Sequence, residues 1–153
     1  MTINSLSEGL EILHRDTPAA RVKEAIGDVI SLENVYEAAK PFIPAGELGS
    51  YLCDVIDDIG YTKTEVMEKA GIDEVLGFQI ITNMIHPTFN ALMRICLAAG
   101  FTLDETQKAI ELAGYKCLSE DNKRDEILIH GITYMKPISK LNELLYDIGD
   151  TLL

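Results

Sequence analysis

Two side-chain amides, Gln79 and Asn83, stand four residues apart. An amide of this kind can hold the edge of an adenine with two hydrogen bonds, so the pair could read a base. Lys63 could neutralise a phosphate, and His86, just after Asn83, completes the candidate DNA contacts. The commoner use of such a glutamine is as a solvated helical side chain. Directly beside these residues stand Met84 and Ile85, with Phe78 and Phe89 close in sequence. Apolar residues in such a loop either tuck into the core or form an exposed patch that binds another protein. Phe78, Met84 and Ile85 are the candidate protein contacts.

Nothing in the chain has the pattern of an enzyme. His14, His86 and His130 are dispersed and have no metal-ligand spacing, which suits polar-surface or helix-end roles. The pairs Asp57-Asp58 and Asp73-Glu74 are adjacent, so on a helix they diverge and cannot share one proton. Lys123-Arg124 is the densest basic spot, and Asp125 and Glu126 balance it at once. Cys53, Cys96 and Cys117 form no C-x-x-C and sit in or beside apolar helical patterns, so buried, reduced thiols are expected. There is no phosphate-cradling glycine loop and no nucleophile elbow. No catalytic residue, metal or cofactor is expected.

The composition narrows the class further. The chain has 153 residues, 13 Lys plus Arg against 25 Asp plus Glu, and a net charge of −12. That length fits one domain, at ~100–200 residues each. The 47% hydrophobic and 25% charged content is that of a folded protein rather than a disordered tail. So large a negative charge repels the phosphates of nucleic acid and of anionic lipid. Met1 to Ser5 has no basic region and no apolar core, so no secretory signal is expected. Apolar runs fall far short of the ~20 residues that cross a bilayer. A cytoplasmic protein with no membrane partner is the expectation, in keeping with reduced thiols.

These side chains need helices to position them. Apolar residues recur at spacings of three and four, as in Leu48, Leu52, Val55, Ile56 and Ile59, and in Ile138, Leu141, Leu144, Leu145 and Ile148. Gly60, Gly71, Gly100, Gly114, Gly131 and Gly149 each follow such a stretch, where a helix ends on a left-handed residue. Thr62-Lys63-Thr64-Glu65 and Thr102-Leu103-Asp104-Glu105 fit the capping box that starts one. The spacing predicts an all-α chain, with helices over 4–14, 18–29, 31–40, 47–59, 63–70, 74–82, 88–99, 103–113, 122–130 and 138–148. Pro41 to Gly46 is the candidate hinge. Ala70, Gly71 and Ile72 make a tight corner between two short helices, with Ile80 to pin the second. This is a helix–turn–helix, in which the front of the second helix meets base edges.

From Thr62 to Phe101 the sequence resembles the Cro/phage-repressor, or Xre-type, helix-turn-helix proteins of bacteria. The likeness rests on Glu68-Lys69-Ala70-Gly71-Ile72, then Pro87, then Leu92-Met93-Arg94-Ile95-Cys96-Leu97-Ala98-Ala99-Gly100. It extends over about residues 31–149 through Leu103-Asp104-Glu105-Thr106, Leu112-Ala113-Gly114-Tyr115, Asn122-Lys123-Arg124-Asp125 and Leu141-Asn142-Glu143-Leu144-Leu145-Tyr146, which resemble a Firmicutes subgroup. The resemblance implies a lambda-repressor-like bundle. It divides the chain into a helical lead-in at 1–45, a helix-turn-helix domain at 46–115, and a helical extension at 116–153 packed on it. It also implies a DNA-binding transcriptional regulator.

The departures from that family lie where DNA is gripped. The loop of DNA-binding relatives reads like S-G-K-R-x-P; here it is Thr82-Asn83-Met84-Ile85-His86-Pro87. Asn83 replaces the glycine and tolerates its left-handed backbone. The two cations have become Met84 and Ile85, and Asp73 and Glu74 open the second helix. From Glu47 to Tyr115 there are 11 acidic and 4 basic residues, a net of −7. The resemblance therefore implies a regulator with weakened intrinsic DNA affinity. The alternative is a non-enzymatic protein-interaction adaptor on the same scaffold, with a protein partner or a homodimer in place of DNA. An acidic DNA mimic is a third reading.

Overall fold

The computed structural model describes residues 32–44 and 46–153. The helices expected over 4–14 and 18–29, and His14, lie outside them. Among the described residues there are eight α-helices and no strand. They are α1 (Leu32–Ala39), α2 (Leu48–Ile59), α3 (Lys63–Ala70), α4 (Glu74–Ile81), α5 (Phe89–Ala99), α6 (Leu103–Leu112), α7 (Lys123–Thr133) and α8 (Ile138–Asp147), with a turn of 3-10 helix at Lys40–Phe42 after α1. None of these helices is long and apolar enough to cross a membrane.

Local chemistry sets most of the boundaries. Thr62 accepts from the Glu65 N–H at 3.0 Å, and the Glu65 carboxylate accepts from the Thr62 N–H at 2.9 Å. Those hydrogen bonds hold the exposed Glu65 carboxyl below its ordinary range. Thr102 and Glu105 repeat the capping box at the start of α6. Gly60, Gly71 and Gly100 close their helices with φ between +70° and +100°, a region where a side chain would be strained.

Gly131 does not end its helix. It lies inside α7, which runs on to Thr133, and the Leu141 side chain of α8 occupies the space a Cβ would need, with atoms 2.4 Å away. The left-handed residue is Met135 instead, at φ +53°. Lys136 N–H then reaches back to the Gly131 carbonyl at 2.8 Å. The glycine is there for close helix packing.

The core is continuous. Leu52 and Ile56 of α2, Val66 and Met67 of α3, Ile80 and Ile81 of α4, and Leu92 and Ile95 of α5 are all buried in it. Val35 and Tyr36 of α1 join it, as do Leu128 of α7 and Leu141 of α8. Helix α5 touches α3, α6 and α8, while α2 touches α3, α4 and α6. At the corner between α3 and α4, Ile72 is buried and its N–H bonds to the Met67 carbonyl at 2.9 Å. Gly71, at φ +70°, allows that turn.

Candidate functional site

The front of the α3–α4 pair is built differently from a phosphate grip. Lys63, the first residue of α3, is 1% exposed. Its ammonium bonds to Glu37 of α1 at 2.9 Å and to Asp57 of α2. Asp57 also takes Lys40 at 2.6 Å. Partial burial works against the Asp57 charge, yet the hydrogen bonds from Lys40 and Lys63 outweigh it and hold the carboxyl below its ordinary range. The same hydrogen bond to Asp57 raises the Lys40 pKa. The expectation that Lys63 meets phosphate is therefore corrected: its charge ties α1 to α2 and α3.

Helix α4 has little polar surface to offer a base. Gln79 is 6% exposed, and Phe78, Ile80 and Ile81 are buried. Gln79 is thus neither a base reader nor a solvated side chain, because the face it sits on packs inward. Phe78, expected as a protein contact, stacks on Tyr36 at 5.5 Å between ring centres and is buried there. At the front of the helix, Asp73 turns its own carboxylate onto the Val75 N–H at 3.0 Å and the Leu76 N–H at 3.4 Å. Those amides would face a phosphate in an anion-binding helix. An aspartate already fills the position, and Glu74 is exposed beside it.

The loop after α4 is held at both ends. Asn83 adopts φ +64°, the left-handed backbone expected of it. Its side-chain oxygen accepts the Gly49 N–H near the start of α2 at 2.9 Å. Helix α2 gets no side-chain cap from Glu47, so Asn83 supplies one from 34 residues away. Asn83 is therefore a cap rather than a base contact. Met84 N–H and Ile85 N–H both bond to the Gln79 carbonyl, at 2.8 and 3.1 Å. At the far end the Tyr115 hydroxyl donates to the Pro87 carbonyl at 2.7 Å, with its ring against His86 and Phe89. Of the four candidate DNA contacts, Lys63 and Gln79 are buried, Asn83 is half-buried and His86 is exposed.

What this fixed loop displays is apolar. Met84 is 46% exposed and Ile85 38%. They form a ridge with a hollow of about 280 Å³ on either side. Ile85 borders one hollow with Glu47, Asn83, His86 and Leu112. Met84 borders the other, across from Ala39, Phe42 and Ile43. Among the described residues, no Lys or Arg lines either of them. Phe42, 84% exposed, escapes sequence reasoning because Pro41 and Pro44 mark its surroundings as a break. Two further exposed apolar residues, Tyr134 and Met135, lie in the turn between α7 and α8, and Tyr146 is exposed near the end of α8.

The thiols divide. Burial pushes Cys53 and Cys96 up to about 12, so both are inert thiols at neutral pH. Cys117, expected to be buried, is exposed in the segment between α6 and α7, with its sulfur 3.7 Å from the Gln107 carbonyl. Among the described residues, no three His, Cys, Asp or Glu side chains are grouped to hold a metal ion. Set against protein-family models, curated proteins and solved structures, the chain finds no match.

Proposed function

We propose that this chain is a non-enzymatic protein-interaction module on a helix-turn-helix scaffold of the lambda-repressor-like kind, with DNA-binding capacity largely given up. The observation that carries the reading is the loop from Thr82 to Pro87. It is fixed in place by Asn83–Gly49 and Tyr115–Pro87, and it presents Met84 and Ile85 where DNA-binding relatives of the resembled family carry cations. A fixed apolar ridge loses little conformational entropy when a partner covers it. Lys63 is already committed to two carboxylates, and Asp73 occupies the amides at the front of α4.

The resemblance of Glu68–Ile72 and Leu92–Gly100 favours a second reading, a transcriptional regulator that contacts DNA weakly and gains affinity through a partner. One experiment separates the two. A photo-crosslinking amino acid replaces Met84 in the full chain in cells, and the adducts are divided between nuclease and protease digestion. The protein-interaction reading expects adducts that survive nuclease and collapse with protease. Adducts that collapse with nuclease would support the regulator instead.

A further inference from the structure

The segment that follows α8 is held like a bound peptide. Gly149, at φ +74°, closes the helix, and the Asp150 N–H reaches back to the Leu145 carbonyl at 2.9 Å. From there the chain runs back along α8, because the Leu153 N–H meets the side-chain oxygen of Asn142 at 2.8 Å. Asn142 precedes Gly149 by about 10 Å of helix, at ~1.5 Å per residue. The stretch from Gly149 to Leu153 reaches at most roughly 13–14 Å, so it is drawn out with little slack.

Side chains of three helices grip the main chain of this segment. Arg124, in the first turn of α7, donates to the Thr151 carbonyl. Asn90, in the first turn of α5, donates to the Leu152 carbonyl at 3.3 Å. Arg124 also donates to the Asn90 side-chain oxygen at 3.1 Å, which orients the amide that holds Leu152. Two side chains of the segment are read as well. Asp150 pairs with Arg124 at 3.3 Å, and Leu153 is half-buried against the core. Thr151 and Leu152 between them are exposed. The cradle therefore fits a drawn-out chain of the form Asp-x-x-Leu. Main-chain hydrogen bonds supply affinity there, and the two end positions supply selectivity.

We infer that Asn90, Arg124 and Asn142 form a peptide site which residues 150–153 fill as the chain's own ligand, and which takes a drawn-out Asp-x-x-Leu segment of another protein when that ligand lifts off. Lifting is local. Among the described residues, side chains alone meet the main chain of Thr151 to Leu153, and most of those hydrogen bonds are open to water. The site shares no residue with the Met84–Ile85 ridge or its two hollows, so it stands apart from the reading above. The net charge of −12 repels an acidic peptide, so bulk charge attraction cannot imitate recognition.

The probe is a fluorescent, amidated peptide with the sequence of residues 148–153, Ile-Gly-Asp-Thr-Leu-Leu, followed by anisotropy at about 150 mM salt. The opened protein is the full chain with Asp150→Lys and Leu153→Asp. It should bind the peptide at least about tenfold more tightly than the parent, whose own segment competes at a high effective concentration. On the opened chain, a peptide with Lys for its Asp, or Asp for its last Leu, should bind about tenfold more weakly or worse. Ser-Gln in place of the middle Thr-Leu should leave binding within about twofold, because those two positions face solvent. Adding Arg124→Gln should abolish it. Asp150→Lys alone, at an exposed position, gives the same comparison should the double variant melt early. No binding by the opened chain would overturn the inference. So would equal binding by the parent, equal losses at the middle and end positions, or a parent dimer in sedimentation that Asp150→Lys disperses, which would make the segment an exchange between copies.

Discussion

At the scale of single residues, Asn83 holds more of the site than its sequence context suggests. It supplies a left-handed turn and a cap for a distant helix. Asn83→Gly keeps the backbone and loses the cap. Asn83→Ala loses the cap and adds strain at positive φ. Chemical denaturation should show a loss of about 1 kcal/mol for the glycine variant and a larger loss for alanine. Lys63 makes a different point. Its removal leaves two carboxylates that are partly exposed and can regain water, so Lys63→Met should cost about 1–2 kcal/mol rather than the 3–5 of a fully buried pair. The pH dependence follows from Asp57. Its folded carboxyl is depressed, so the unfolded chain takes up its proton first as pH falls. The stability it contributes is full above the ordinary carboxylate range, near pH 4, and drains away below it. Urea midpoints between about pH 6 and 3 should fall less in Asp57→Asn than in the parent. The cysteines give a third test. A thiol reagent on the native protein should label Cys117 quickly, and Cys53 and Cys96 only after denaturation.

At the scale of elements, the glycines separate what sequence can show from what it cannot. A helix end is a local event, so Thr62, Thr102, Gly60, Gly71 and Gly100 announce themselves within a few residues. Gly131 looks the same in sequence, yet its role depends on Leu141 in the next helix. Gly49 is similar. A Cβ there would sit 1.8 Å from the Ile81 carbonyl oxygen, which lies on backbone and cannot step aside. Gly49→Ala should therefore cost about 1–3 kcal/mol or more, and it should loosen the Met84–Ile85 loop that Gly49 anchors. Faster hydrogen exchange at residues 82–86 would report the loosening. Burial of Lys63 and Gln79 was illegible for the same reason. Glu37 is 26 residues away from Lys63, and helical spacing alone does not say which of two faces α4 turns inward. Phe42 shows the converse error, since prolines that break a helix say nothing about exposure.

At the scale of the molecule, the charge of −12 is unevenly spread. The stretch from Glu47 to Tyr115 carries −7 of it, and Lys63, one of its four basic residues, is neutralised by Glu37 and Asp57. Phosphate binding needs free cations, because each contact releases condensed counterions and makes affinity fall steeply with salt. The proposed function puts an apolar protein contact where a DNA grip would be. The most direct test is a titration of the full chain against fragmented genomic DNA at about 50 mM salt, repeated up to about 200 mM. No saturable binding is expected at any salt concentration. A saturable isotherm whose log affinity falls with log salt, with a slope of several units, would contradict it.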